Sequence, residues 1–429
     1  MADEKVTRRS VLNSSAPSTI AESRPSAGVV TADGPKMSVV VINDLNSLEK
    51  YIPAWEDLAA AAIEPNVFYE PWMVIPAIRA YGAGRRLQFA LILASEPERP
   101  TGAPLLCGIF PLEQQSHYQG LRRKLPFKTL RLWKHKYCYL CTPLVRAGYG
   151  REVIAAFFDW LAEGSHDCSL MEFNFVAGDG LFYQTLLDHF DRHARLNYIS
   201  TYFMRALFRP DVDAEKYISS RLHRSRRELK RIERRLSETG RLEYMALEPG
   251  HDVETWIEEF LQIEAISWKG MAGRALIQNE ADREYFVSVA REAFHRGRLT
   301  MFALRLDGRP ISQHCGFVSG LGAFAFKDAF DEQYARYSPG VLLELEIIRR
   351  LHAQPEIRWM DTCADPFHPT LDRLFSDRRT IQDVVVGTGK SPGDWVVAAA
   401  PLLRLLNRKL LRRGGAGSPK ETKDYKDEE

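Results

Sequence analysis

Between Leu299 and Asp361 the spacing of apolar and polar positions changes period twice. Leu299 to Leu306 and Pro310 to Val318 alternate as strands do, and Asp307-Gly308 between them is a two-residue hairpin signal. Ser319-Gly320-Leu321-Gly322 then turns the chain into a third strand-like run, Ala323 to Lys327. Beyond Gly340 the spacing becomes helical: Val341, Leu342, Leu345, Ile348 and Leu351 share one face, and Arg349, Arg350 and His352 complement the helix C-terminus. Ile357 to Asp361 is a short apolar run closed by an acid, as expected of a strand parallel to its predecessor after a helical crossover. The predicted order is an antiparallel meander feeding one crossover.

The first half is also mixed. Leu48 to Ala62 and Phe68 to Tyr81 read as helices, Leu87 to Ala94 and Pro104 to Leu112 as strands beside a Pro-rich turn, and Gly150 to Glu163 as a helix. Leu170 to Phe175 is a strand, Gly180 to Phe190 a helix and Leu196 to Phe208 a long strand. Strands with intervening helices predict an α/β or α+β sheet. This half has no loop matching Ser338 to Gly340, so it is expected to be the structural or acceptor-binding partner of the second. A chain of 429 residues is long for one core, and two domains follow, 37–209 and 210–390, with Pro210-Asp211-Val212-Asp213 at the boundary. Residues 1–36 and 414–429 read as disordered tails and 391–413 as a basic amphipathic helix.

Candidate chemistry begins where the meander meets its helix. Ser338 suits an N-cap, Pro339 stands where a missing N–H costs nothing, and Gly340 admits close approach. The free amides and positive dipole end of such a helix suit a phosphate. The run Phe326 to Glu346, followed by Asp361 to Phe375, resembles the GNAT-type acetyltransferase domain first associated with bacterial cellulose biosynthesis proteins. The match spans roughly Arg221 to Gly387, and the family is similar to the Fem-type transferases, which carry two GNAT-like domains in one chain.

The resemblance implies tandem GNAT-like domains, each a mixed, mostly antiparallel sheet flanked by helices. It implies acetyl-CoA or another acyl-CoA as co-substrate, no metal, and a small-molecule or sugar-linked amine as acceptor. The cofactor-binding positions it points to are Arg336, Tyr337, Ser338, Gly340, Val341 and Leu342. The chain departs from the family's loop, which reads Gln or Arg, two residues, Gly, one residue, Gly or Ala. Counted from Arg336, Pro339 and Val341 fill the last two slots, and Pro339 donates no N–H; counted from Tyr337, Gly340 and Leu342 fill them.

Direct transfer requires a group that deprotonates the amine and donors that hold the developing oxyanion. Asp361, at a predicted strand end, and His368, a sensible base because histidine is the residue type suited to proton traffic near neutral pH, are the leading candidates, with Lys327, Asp328 and Asp331 behind them. His314 reads as a packed strand residue and Cys315 as core, while Cys363 is a minor candidate for a covalent route. Arg373, Arg378 and Arg379 form a cluster able to hold an anionic acceptor.

Composition narrows the partners. Apolar content of 45% and charge of 27% are those of an ordinary soluble protein, and a net charge of +2 gives no global case for nucleic acid. Six cysteines over this length make no disulfide framework and point to a reducing interior. Cys138 and Cys141, near His135, have the spacing of half a zinc site but lack a second pair. The first 36 residues carry no signal-type apolar run, and no stretch reaches the roughly 18–20 apolar residues of a spanning helix. A bacterial cytoplasmic protein is expected, peripheral at the inner membrane face if Trp395 to Arg413 forms an interfacial helix.

Arg221 to Arg235 carries eight Lys or Arg against two Glu, on what reads as one helix ending near Gly240. Such density suits the phosphates of coenzyme A, tRNA or a lipid head group, though few aromatics are interleaved for base stacking. Three functions are therefore expected in order: an acyl-CoA-dependent N-acyltransferase acting on a sugar or a metabolite linked to envelope polysaccharide; a Fem-type transferase drawing on aminoacyl-tRNA; and a non-catalytic accessory protein of a membrane polysaccharide system.

Overall fold

The computed structural model describes residues 35–95, 104–118, 125–164, 167–211, 213–222, 225–389 and 392–400. The tail at 1–34, the tail at 414–429 and positions 401–413 of the basic segment lie outside the described residues; 393–400 are helical. Lys36, assigned to the tail from sequence, instead opens the first strand.

The first half runs β1 (Lys36–Ile42), α1 (Leu45–Glu49), α2 (Ile52–Ala60), α3 (Pro71–Tyr81), β2 (Leu87–Ser95), β3 (Leu105–Gln115), β4 (Thr129–Leu132), β5 (Leu144–Val145), α4 (Gly150–Glu163), β6 (Leu170–Ala177), α5 (Leu181–Arg192) and β7 (Asn197–Phe208). Prolines reset two helix starts. Pro53 and Pro71 occupy first-turn positions, so the helices expected from Leu48 and Phe68 begin anew at Ile52 and Pro71.

The second half runs α6 (Ala214–Arg221), α7 (Ser225–Ser237), β8 (Leu242–Ala246), α8 (Val253–Ala265), α9 (Trp268–Met271), α10 (Glu280–His295), β9 (Leu299–Leu306), β10 (Arg309–Ser319), β11 (Gly322–Phe330), α11 (Pro339–His352), β12 (Trp359–Asp361), α12 (Leu371–Leu374) and β13 (Asp377–Gly387). The single basic helix expected over Arg221 to Arg235 is broken. Arg221 ends α6, Leu222 turns inward, and α7 starts afresh at Ser225.

All strands join one sheet, in the order β1-β2-β3-β4-β6-β13-β7-β12-β11-β10-β9-β8, with β5 against β3. Among the described residues the pairings are antiparallel except β4–β6 and β11–β12. Each exception is bridged by a helix, α4 or α11, as a parallel crossover requires. The two final strands change sides: β13 lies between β6 and β7, and β7 pairs with β12.

Alternation along β9 and β10 divides the core between the two faces. Met301, Ala303, Cys315 and Phe317 join the cluster that holds Phe260 of α8 and Phe286 of α10. Phe302, Leu304 and Ile311 meet Leu342, Leu345 and Ile348 of α11 instead. Ile348 is 1% exposed, so truncation to Ala would cost about 2–5 kcal/mol. Packing of this stripe fixes which residues α11 turns toward β10.

Candidate active site at the splayed strands

β11 and β12 stay paired only through Gly322–Trp359, Ala323–Met360 and Phe324–Asp361. β11 then continues to Phe330 while the chain leaves β12 at Asp361, which opens a gap between them.

A bulge decides where the polar residues of β11 face. Cys315 pairs with Lys327 and Gly316 with Ala325, leaving Phe326 as the extra residue. Lys327 therefore turns toward α8, where its Nζ lies 2.8 Å from Oε1 of the fully buried Glu264 and 5.0 Å from the Tyr137 ring centroid. Asp328 pairs with His314 and takes the other face, toward α11. Two neighbours expected to act together thus serve opposite faces of the sheet.

Asp328 Oδ1 is 2.5 Å from Nδ1 of His314, whose side chain is 3% exposed, while that of Asp328 is 57% exposed. Glu344 reaches the same place from α11. Ligand atoms of His314, Asp328 and Glu344 all lie within 4.8 Å of one another. Burial, reinforced by the Asp328 charge, pushes the Glu344 carboxyl up to about 7. Desolvation works against charge on Asp328 too, but His314, Lys269 and His368 outweigh it and hold its carboxyl below the usual range. Burial likewise disfavours charge on His314, yet Asp328 and Glu344 raise its imidazole above the ordinary value.

Asp361 is used differently. It is fully buried and accepts from Arg205 Nε and Nη2, both at 2.7 Å, from Arg379 Nη1 at 2.9 Å and from the Cys363 amide at 3.0 Å. Burial opposes its charge, but the two guanidinium groups prevail and keep it well ionised. A carboxylate so engaged, with no exposed surface, ties β12 to β7 and β13 and is out of an incoming amine's reach, unlike the half-exposed Asp328.

His368 accepts the Leu371 amide on Nδ1 at 3.2 Å, which leaves Nε2 as the ring nitrogen that carries a proton and can donate. Asp331 is 2% exposed and caps the 3₁₀ turn before α11, accepting from the Gln333 amide at 3.0 Å and from Arg309 at 3.4 Å.

The helix start differs from its expected form. Ser338 has φ 50° and ψ 50°, in the left-handed region, and its side chain makes no capping bond. Its carbonyl accepts the Leu342 amide at 3.1 Å, and the Gly340 and Val341 amides belong to the first turn, where a helix supplies its amides no acceptor of its own. Among the described residues a Cβ on Gly340 would meet only Phe330 Cδ1, at 3.7 Å, so the space at its Cβ position is open. Leu342 is buried in the core beneath, whereas Arg336 is exposed and stacks its guanidinium 4.7 Å from the Tyr337 ring centroid.

The remaining candidates scatter. Burial pushes the Cys363 and Cys315 thiols up, and Asp361 adds to the effect on Cys363, so neither is a ready thiolate. Arg379 joins Asp361, Arg378 bonds the Phe375 and Asp372 carbonyls, and Arg373 reaches Ser225; the three make no common anion site. Cys138 and Cys141 are buried with sulfurs 3.7 Å apart. On α7, which packs against the 3₁₀ turn before α11, Arg227, Lys230 and Arg235 are exposed, while Arg226 pairs with Glu215 and Arg231 with Glu228.

Two features escaped sequence reasoning. Glu344 lies three residues after Val341 and four before Ile348, and a carboxylate inside an apolar stripe was the available signal. The first half also has a glycine-bearing helix start: Gly148, at φ +87°, precedes α4, which opens at Gly150 between β4 and β6.

Residues 223–368 match the family profile described as an acetyltransferase (GNAT) domain, and this span contains His314, Asp328, Gly340, Glu344, Asp361 and His368. No curated protein matches the chain. Among solved structures, FemX is similar with a TM-score of 0.50 at 9% identity, covering 86% of this chain and 99% of that one. A conserved protein of unknown function from Bacteroides thetaiotaomicron VPI-5482 has a TM-score of 0.47 at 10% identity, covering 78% and 97%. A tandem GNAT protein from the clavulanic acid biosynthesis pathway has a TM-score of 0.40 at 13% identity, covering 83% and 100%. The chain therefore has a mixed α/β fold of GNAT type, within which residues 223–368 match the acetyltransferase (GNAT) domain profile.

Proposed function

We propose that the protein is an N-acyltransferase that moves an acetyl or other acyl group from acyl-CoA to a primary amine on a small molecule or sugar. The observation that carries this reading is the start of α11, whose first-turn amides at Gly340 and Val341 follow, after the 3₁₀ turn, the strand that carries Asp328 and its partner contact with His314. The amides and helix dipole suit the donor's pyrophosphate. The amine nitrogen attacks the thioester carbonyl, the C–S bond breaks, coenzyme A leaves as thiolate, and the amine proton passes to Asp328. His314 positions that carboxylate, and His368 offers a donor nearby. Asp361 holds the strand end in place and takes no proton.

Calorimetric titration of acetyl-CoA and free coenzyme A into the wild type and Gly340→Asp tests the donor. Micromolar binding that the variant loses is expected; no binding by the folded wild type rejects acyl-CoA.

A second reading, with aminoacyl-tRNA as donor, draws on the exposed Arg227, Lys230 and Arg235 of α7 beside the turn that leads into α11. It requires RNA affinity that falls steeply with salt and flattens on charge reversal of these residues. Peripheral membrane contact, if present, involves Trp395, which is 74% exposed at the edge of the described residues. No helix among the described residues is long and apolar enough to cross a membrane.

A further inference from the structure

We propose that His314, Asp328 and Glu344 form a binding site for one divalent cation of the zinc and manganese class, open toward the cleft through Asp328.

The donor set comes from three separate elements. His314 is held on β10, Asp328 on β11 and Glu344 on α11, and one ligand atom of each lies within 4.8 Å of the other two. Ligands bound to one ion at about 2.0–2.2 Å stand roughly 3–4 Å apart, so small side-chain shifts bring the three together. One imidazole and two carboxylates suit zinc or manganese, whereas a soft-metal site would use thiolates.

Glu344 supplies the second, independent observation. It is 7% exposed and, among the described residues, accepts no hydrogen bond, although α11 aims it at His314 and Asp328. A buried carboxylate beside another carboxylate is costly unless something positive stands between them. His314 is the one cation-forming group within the cluster, and it is already engaged by Asp328 at 2.5 Å. A metal ion satisfies both carboxylates at once. Asp328 is the half-open member, which gives the ion an entry path and leaves a coordination position facing the cleft.

This inference goes beyond the acyl-transfer reading and contradicts the sequence expectation of no metal. The two meet at Asp328, because a bound cation would take the electron pair that otherwise accepts the amine proton. Metal loading is therefore expected to slow transfer, but binding itself does not depend on that reaction.

The test is calorimetric titration of Zn²⁺, and separately Mn²⁺, into the chelator-treated full chain, with Co²⁺ absorption as a spectroscopic probe of the ligand set. One ion per chain at micromolar affinity is expected, with Glu344→Gln and Asp328→Asn each weakening it by at least about tenfold and His314→Ala abolishing it. Thermal melts with and without Zn²⁺ establish that each variant folds, and only the wild type should gain a large shift. Absence of a one-to-one site in the folded wild type would overturn the proposal. So would unchanged binding by folded Glu344→Gln and His314→Ala, which would locate the ion elsewhere. Acetyl-CoA titration of the chelated protein reports on the donor independently, so failure of either reading leaves the other measurable.

Discussion

Arg205, on the last strand of the first half, grips Asp361, at the end of β12, through two parallel 2.7 Å hydrogen bonds in a fully buried pair. Bidentate geometry of this kind is what a guanidinium offers and an ammonium cannot.

Asp361→Asn should therefore destabilise the protein by about 3–5 kcal/mol, since Arg205 and Arg379 are left buried without their anion. Urea denaturation measures this. Activity per folded molecule should change little, and a collapse of kcat in a fully folded Asp361→Asn protein would restore Asp361 as the base.

Lys327→Met should cost about 2–4 kcal/mol, because Glu264 is fully buried and would keep only Lys269, at 3.8 Å, and the Leu276 amide, at 2.7 Å. The loss belongs to stability rather than to proton transfer. Comparison of melting with turnover of the folded fraction separates the two.

Gly340→Ala should leave the fold intact and stabilise it by about 0.5–1 kcal/mol, since Phe330 Cδ1 at 3.7 Å is ordinary contact and the helix gains a better former. Chemical denaturation reads the sign. A large destabilisation would mean that the loop needs glycine for its own conformation rather than for a ligand.

Stability should fall with rising pH through the window that Glu344 controls. Its carboxyl is raised from 4.5 to about 7, so between those values the folded chain binds more protons than the unfolded one. The raised imidazole of His314 acts in the same direction, contributing stability below its unfolded value that is lost as pH rises through its folded value. In chelator-treated protein Glu344→Gln should flatten this decline, by up to about 3 kcal/mol across the window. Identical slopes in the two proteins would show that Glu344 does not titrate there.

The meander was readable because its cues are local. Asp307-Gly308 and the period change at Gly340 lie within a few residues of the turns and helix that they specify, and β9, β10, β11 and α11 fall close to their expected limits. The site was less readable because facing is not local. The bulge at Phe326 separates Lys327 from Asp328, and it depends on pairing with β10. Asp361 looks like a cleft acid until Arg205, 156 residues earlier in the chain, is brought beside it. Glu344 differs: its place in the apolar stripe was visible, but its partners on β10 and β11 were not.

Because β13 pairs only with β6 and β7, the end of the chain must return to strands made long before it, and β7 waits for both β12 and β13. Folding of the centre of the sheet is therefore delayed until nearly the whole described chain has emerged, with a high loop-closure cost and slow kinetics. Synthesis stalled before Asp377 would leave β6 and β7 with open edges, ready to pair with another chain. Residues 210–390 expressed alone would keep Asp328, His314 and Glu344 but leave β13 without either neighbour and Asp361 without Arg205.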